Sequence, residues 1–139
     1  MDTNHIILIE DDDADAELFV SVASDLCSDI RRIKDGEEAV QYFSNPSLSP
    51  PDVVFLDLNM PKLDGRQILS FLRSEDRLRR IPVVVLTSSK SERDVDLCYE
   101  NCANIYIVKP LDLADFTHAV TSILTTWFVL ATIPTCVRD

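Results

Sequence analysis

Five short apolar runs recur along the chain, at about residues 5–9, 29–33, 53–57, 82–86 and 104–108, with amphipathic stretches at helical spacing between them. Runs such as Ile6-Ile7-Leu8-Ile9 and Val83-Val84-Val85-Leu86 have no polar face. They suit strands covered on both sides, as in a parallel sheet, rather than half-solvated antiparallel strands. Strict alternation of strand and helix predicts an α/β domain, a doubly wound sheet of five parallel strands flanked by five helices and joined by right-handed crossovers. The second run, Ile30-Arg31-Arg32-Ile33, alternates only partly.

The helices have start signals. The first is expected to open with Asp13 as N-cap and to turn Leu18, Val22 and Leu26 inward. The second follows Asp35-Gly36 with Ala39, Val40 and Phe43 inward. The third follows Asp64-Gly65 with Ile68, Leu69 and Leu72. The fourth covers about 92–101 with Val95, Cys98 and Tyr99 inward. The fifth starts near Asp112, after Pro110, and stops before Pro134. Asn45 to Pro51 reads as a loop. The 139 residues suit a single domain over 1–139, with a folded core over 5–133 and a short tail over 134–139.

Composition narrows the class. A hydrophobic fraction of 46% and a charged fraction of 27% are those of a globular protein. A net charge of −11 argues against a nucleic-acid partner, which needs a basic face, and suits a divalent cation or a basic surface. The N-terminus lacks the layout of a secretion signal, and the apolar stretch Ile123–Ile133 is short of a membrane span, so no membrane partner is expected. Cys27, Cys98, Cys102 and Cys136 have neither disulfide nor zinc spacing, and Cys98 and Cys102 read as small buried groups. A cytoplasmic location follows from these features.

Four of the runs end in chemically active side chains: Glu10-Asp11 after the first, Asp57 after the third, Thr87 after the fourth and Lys109 after the fifth. In a parallel α/β sheet the C-terminal strand ends are where sites assemble. A carboxylate closing an apolar strand needs a cation, a proton or a chemical use, because burying an unpaired charge costs several kcal/mol. Clustered carboxylates repel one another unless a cation sits among them, and hard oxygen ligands with room for waters favour Mg²⁺. The backbone carbonyl of Asn59, in a loop fixed by Met60-Pro61, is a further candidate ligand. Lys109 suits phosphate oxygens as a point charge, and Thr87 offers one hydroxyl on a stiff side chain. Together these groups describe phosphoryl transfer onto the carboxylate of Asp57.

Five linked segments, Ile9-Glu-Asp-Asp12, Leu56-Asp-Leu-Asn-Met-Pro61, Asp64-Gly65, Leu86-Thr-Ser88 and Tyr106-Ile-Val-Lys-Pro110, resemble the receiver domain of two-component response regulators over about residues 5–133. The resemblance implies the flavodoxin-like, CheY-like strand order 2-1-3-4-5. It implies that Asp57 takes a phosphoryl group from a sensor histidine kinase, with Glu10 and Asp11, Asp11 the more directly, holding Mg²⁺ alongside Asp57 and the Asn59 carbonyl. Thr87 would then bond the phosphoryl group, Tyr106 would turn inward as the partner of that switch, and Lys109 would contact the phosphoryl oxygens across a cis Lys109-Pro110 bond. Such a protein is a phosphoacceptor catalysing its own phosphorylation and dephosphorylation rather than a conventional enzyme. Two departures stand out. Glu10-Asp11 replaces the common Asp-Asp, and no glycine precedes the fifth strand, so a left-handed residue is expected at Asn101 or Asn104.

Only five residues follow Pro134, so output is expected through the domain's own surface. The last helix presents Leu113, Phe116, Val120, Ile123, Leu124 and Trp127 as a core-facing stripe, then becomes apolar nearly all round. Trp127, Phe128 and Leu130 are the candidate interface residues there. This ending resembles single-domain regulators that partner phytochrome-type kinases, which tend to form homodimers through the fourth helix, fifth strand and fifth helix. Two alternatives to a stand-alone switch are a phosphorelay shuttle to a histidine phosphotransfer protein and an aspartyl-phosphate hydrolase. The latter usually carries a second acid where this chain has Asn59.

Overall fold

The apolar runs become strands because each finds a backbone neighbour on the sheet and a helix layer over each face. In the computed structural model, which describes residues 4–133, the elements are β1 (His5–Ile9), α1 (Asp13–Ala23), β2 (Asp29–Ile33), α2 (Gly36–Ser44), β3 (Val53–Leu56), α3 (Gly65–Ser74), β4 (Val83–Thr87), α4 (Glu92–Glu100), β5 (Ile105–Val108) and α5 (Leu113–Thr125). All strand pairs are parallel and the order is β2-β1-β3-β4-β5, as expected. The predicted tail, 134–139, lies outside the described residues.

Side chains alternate across the sheet, which divides the core into two layers. Ile7, Ile9, Val54, Leu56, Val83 and Val85 pack with Ala39 and Phe43 of α2, Ile68, Leu69 and Leu72 of α3, and Cys98 of α4. Ile6, Leu8, Val53, Phe55, Val84 and Leu86 pack with Ala16, Phe19 and Ala23 of α1 and Phe116, Val120 and Leu124 of α5. Burying each such large aliphatic or aromatic side chain contributes about 1.5–3 kcal/mol. Leu113–Leu130 is long and apolar enough to cross a membrane by length and composition, which the shorter stretch Ile123–Ile133 did not suggest. Three of its residues, Phe116, Val120 and Leu124, are buried in the layer beside α1, so one face of it packs on the sheet.

Every α-helix begins at an Asp or Ser whose side chain accepts a backbone N–H of the first turn. For α1 that residue is Asp12, one before the expected Asp13, because the Asp12 carboxylate reaches Asp15 N at 2.9 Å. The inward face of α1 is also rotated from the expected one. Ala16, Phe19 and Ala23 are buried, Leu18 and Val22 lie on the flank, and Leu26 falls beyond the helix and is exposed. Two alanines let α1 approach the sheet closely, and Phe19 then meets Phe55 at 4.7 Å between ring centroids.

Other deviations have local causes. Tyr99 is half-exposed rather than inward, and its hydroxyl accepts the Tyr106 N–H, covering a backbone donor of β5, the edge strand. Leu113 is exposed because α5 has only begun there. The left-handed residue before β5 is Cys102 (φ 62°), rather than Asn101 or Asn104. Its N–H bonds Tyr99 O and the Ala103 N–H bonds Cys98 O, the paired closure that puts the left-handed residue just past the helix cap, Asn101. Asn104 is committed elsewhere, its side-chain oxygen accepting from Val83 N at 2.8 Å and Arg73 Nη2 at 3.3 Å. Cys102 is therefore an exposed turn residue, while Cys27 and Cys98 are buried free thiols.

After Thr125 the last helix widens into a π-helical turn over Thr126–Leu130. Trp127 and Phe128 lean on the α1–α5 core layer, whereas Val129 and Leu130 project outward, 67% and 76% exposed. The apolar surface at this end therefore rests more on Val129 and Leu130 than on the two aromatics.

Candidate functional site

The hydrogen-bond ladder of the sheet runs into the site residues themselves. Glu10 N bonds Ile33 O at 3.0 Å, Asp57 N bonds Ile9 O at 3.0 Å, and Lys109 N bonds Thr87 O at 2.7 Å. Glu10, Asp57, Thr87 and Lys109 are thus fixed as successive strand ends on one edge, although they lie far apart in sequence. Glu10 and Asp57 are 3% and 6% exposed and Thr87 is fully buried, unusual burial for two carboxylates.

One ammonium joins them. Lys109 Nζ lies 2.7 Å from Glu10 Oε1, 2.8 Å from Asp15 Oδ2 and 3.2 Å from Asp57 Oδ2. Burial works against a charged Lys109, yet its bonds to Asp15 and Glu10 and the charge of Asp57 outweigh that and raise its pKa. Glu10 moves the same way for the opposite reason: burial pushes it up to about 7, and the charge of Asp57 adds to this against the opposing Lys109 bond. One lysine leaves the acidic group short of positive charge.

Glu10, Asp11 and Asp57 can each place a carboxylate oxygen within 4.8 Å of the others. That spacing suits a hard divalent cation, and such an ion would offset the Asp57 charge that adds to burial in raising Glu10. Asn59 lies exposed beside the cluster, and its N–H donates to Asp57 Oδ1 at 3.2 Å, closing the turn after β3. Lys109-Pro110 is trans rather than cis; the trans form is preferred by about 0.5–1 kcal/mol, and Lys109 reaches Glu10, Asp15 and Asp57 with it.

The chain has two glycines, and both hold the loop that presents Asp57. A Cβ on Gly65 would overlap Asp57 O, and one on Gly36 would overlap Leu63 O. The backbone needs that space because α3 starts against the turn following β3, with Gly65 N bonded to Leu58 O at 3.0 Å.

Above Thr87 a polar network ties the loop after β4 to two helices. Ser89 N donates to Thr87 Oγ1 at 3.4 Å, and Ser89 Oγ donates to Asp94 Oδ2 at 2.6 Å. Asp94 in turn receives both Arg66 Nε and Nη2, at 2.8 and 2.7 Å. Tyr106 donates its hydroxyl to Ser89 O at 2.9 Å, so the two expected switch residues, Thr87 and Tyr106, meet at the same serine.

Sequence reasoning missed Asp15, Arg32 and the Arg66–Asp94 pair. Arg32 explains why β2 alternates poorly: its Nε donates to Glu10 O at 2.8 Å and Nη1 to Asp13 Oδ1 at 2.8 Å, bracing the acidic loop. An arginine pointing off a strand otherwise apolar on that side was the available signal.

With this geometry the family can be stated: residues 6–121 match the response regulator receiver domain, and the chain belongs to that family. It is 39% identical over 127 residues to the probable methanogenesis regulatory protein FilR2 of Methanothrix harundinacea, covering 88% of this chain and 82% of the relative. It is 37% identical over 135 residues to the response regulator Rcp1 of Synechocystis, covering 93% and 92%. Among solved structures, the phosphorylated cyanobacterial phytochrome response regulator RcpA superposes with a TM-score of 0.88 at 35% identity, covering 96% of this chain and 99% of RcpA. The Mn²⁺-bound form of Rcp1 superposes with a TM-score of 0.84 at 35% identity, covering 94% and 99%.

Proposed function

We propose that the protein is a stand-alone, cytoplasmic response regulator, one receiver domain with its folded core over residues 5–133, in which Asp57 accepts a phosphoryl group from a phosphohistidine of a sensor histidine kinase. The observation carrying this reading is the convergence of three carboxylates within 4.8 Å of one another, with Lys109 bonded to two of them. An Asp57 carboxylate oxygen attacks phosphorus, the P–O bond forms as the P–N bond breaks, and the imidazole leaves. Glu10, Asp11, Asp57 and the Asn59 carbonyl hold Mg²⁺, consistent with the Mn²⁺-bound form of Rcp1. Bound there, the ion neutralises charge on the transferring phosphoryl oxygens.

Lys109 supplies a further positive charge, and the Thr87 hydroxyl donates to the new phosphoryl oxygen. Thr87 would move to do so, releasing the Ser89 N–H that it now accepts. Ser89 also carries the Tyr106 and Asp94 contacts, so the change passes to the α4–β5 face and biases its two-state equilibrium. Output then leaves through a homodimer or partner surface built from α4, β5 and α5. The kinship with RcpA and Rcp1 favours a phytochrome-type kinase as donor.

The test is labelling by a small acyl phosphate with Mg²⁺. Wild-type protein should acquire acid-labile phosphate and Asp57→Asn should acquire none. Equal labelling of the two would remove Asp57 from the role.

A further inference from the structure

We propose that Asp15 is a positioning residue for Lys109: its carboxylate draws the ammonium toward α1 and limits how far the lysine commits to Asp57 and the group Asp57 accepts. The proposal rests on the reading of Asp57 as phosphoacceptor. An ammonium has three N–H donors, and Lys109 Nζ has three carboxylate oxygens around it, Glu10 at 2.7 Å, Asp15 at 2.8 Å and Asp57 at 3.2 Å. The longest contact is the one to the reacting residue. Asp15 stands outside the three-carboxylate cluster of Glu10, Asp11 and Asp57, so its charge acts on the lysine without belonging to that cation site.

The three acceptors differ in how easily they can be given up. The side chains of Glu10 and Asp57 are 4% and 7% exposed, whereas that of Asp15 is 41% exposed, in the first turn of α1. Water can replace the lysine at Asp15 and cannot readily do so at the other two. Asp15 and Lys109 also line one cleft of about 290 Å³ with Ser88 and Pro110, which leaves room for the ammonium to shift. When a phosphoryl group adds acceptor oxygens at Asp57, the Asp15 contact is therefore the one that yields. Until then it competes with the site. Removing the Asp15 charge should free the lysine in advance and strengthen binding of a phosphoryl group.

The probe is beryllofluoride with Mg²⁺, a phosphoryl mimic, followed by fluorine NMR on the full chain. Asp15→Asn should bind it about two- to fivefold more tightly than wild type, the range expected for losing a partly exposed ion pair. Asp15→Glu, which restores the charge, should return affinity toward wild type. Asp12→Asn removes a charge from the same turn while keeping an equally good N-cap, so it reports any general field effect. A gain in Asp15→Asn that exceeds that of Asp12→Asn supports the proposal. Unchanged or weaker binding by Asp15→Asn, or an equal gain in Asp12→Asn, overturns it. If wild type binds no probe, or Asp57→Asn binds it equally well, the phosphoacceptor reading itself fails and takes this proposal with it.

Discussion

Gly65 shows how a residue without a side chain fixes the chemistry. The space its missing Cβ leaves is filled by Asp57 O and the Leu58 backbone, so any larger residue must push α3 away from the turn that presents Asp57. Gly65→Ala should destabilise the fold by about 1–3 kcal/mol, the usual cost of overpacking, and calorimetry should register a lower melting temperature. An unchanged melting temperature would mean that the turn can relax without cost. That Asp57, Thr87 and Lys109 share one edge of the sheet was legible in the sequence because each closes an apolar run; singly each has an ordinary explanation, and only their joint occurrence pointed to a site. Asp15 was not legible. It is one of 24 acidic residues, and an aspartate in the first turn of a helix has a sufficient explanation in the helix dipole. Only the return of the chain at Lys109, 94 residues later, gives it a partner.

At the scale of elements, α3 and α4 are joined through the bidentate Arg66–Asp94 pair, with Ser89 on the same carboxylate. The Arg66 and Ser89 bonds hold the Asp94 carboxyl below its ordinary range. A carboxylate lowered on folding contributes stability that is complete above the unfolded value, about 3.8, and disappears as pH falls through the folded one. Asp94→Asn should therefore cost about 1 kcal/mol at neutral pH, and its deficit against wild type should close as the solution is acidified below about 3.8. Denaturant titrations at several pH values would decide it; a constant deficit would show that Asp94 acts through shape rather than charge. Strand positions could be read almost to the residue because all-apolar runs have sharp ends. Helix rotation was readable for α3, where Ile68, Leu69 and Leu72 are buried as expected, but not for α1. For α1 the expected face of large residues lost to Ala16 and Ala23, since close approach to the sheet favours small side chains, which carry little hydrophobic signal of their own.

For the whole molecule, the fold order and the site edge follow from one alternation, five strands and five helices, whereas the proposed self-association would draw on what lies at the far end of α5. Val129 and Leu130 leave apolar surface there while Trp127 and Phe128 lean on the domain itself. Leu130→Ser should weaken any self-association in sedimentation velocity without lowering the melting temperature; identical sedimentation of the two proteins would exclude that surface from the proposed homodimer. The sequence showed that this end was apolar but could not show which side chains the domain keeps for its own core. The position that accepts phosphorus, proposed to be Asp57, can be read directly by borohydride trapping. An aspartyl phosphate reduced in this way becomes homoserine, which peptide mass spectrometry locates. After exposure to an acyl phosphate, homoserine should occupy position 57 when Mg²⁺ is present and be lost when the metal is chelated. Homoserine at position 10 or 11 instead, or an unmodified Asp57 in protein carrying acid-labile phosphate, would contradict the account.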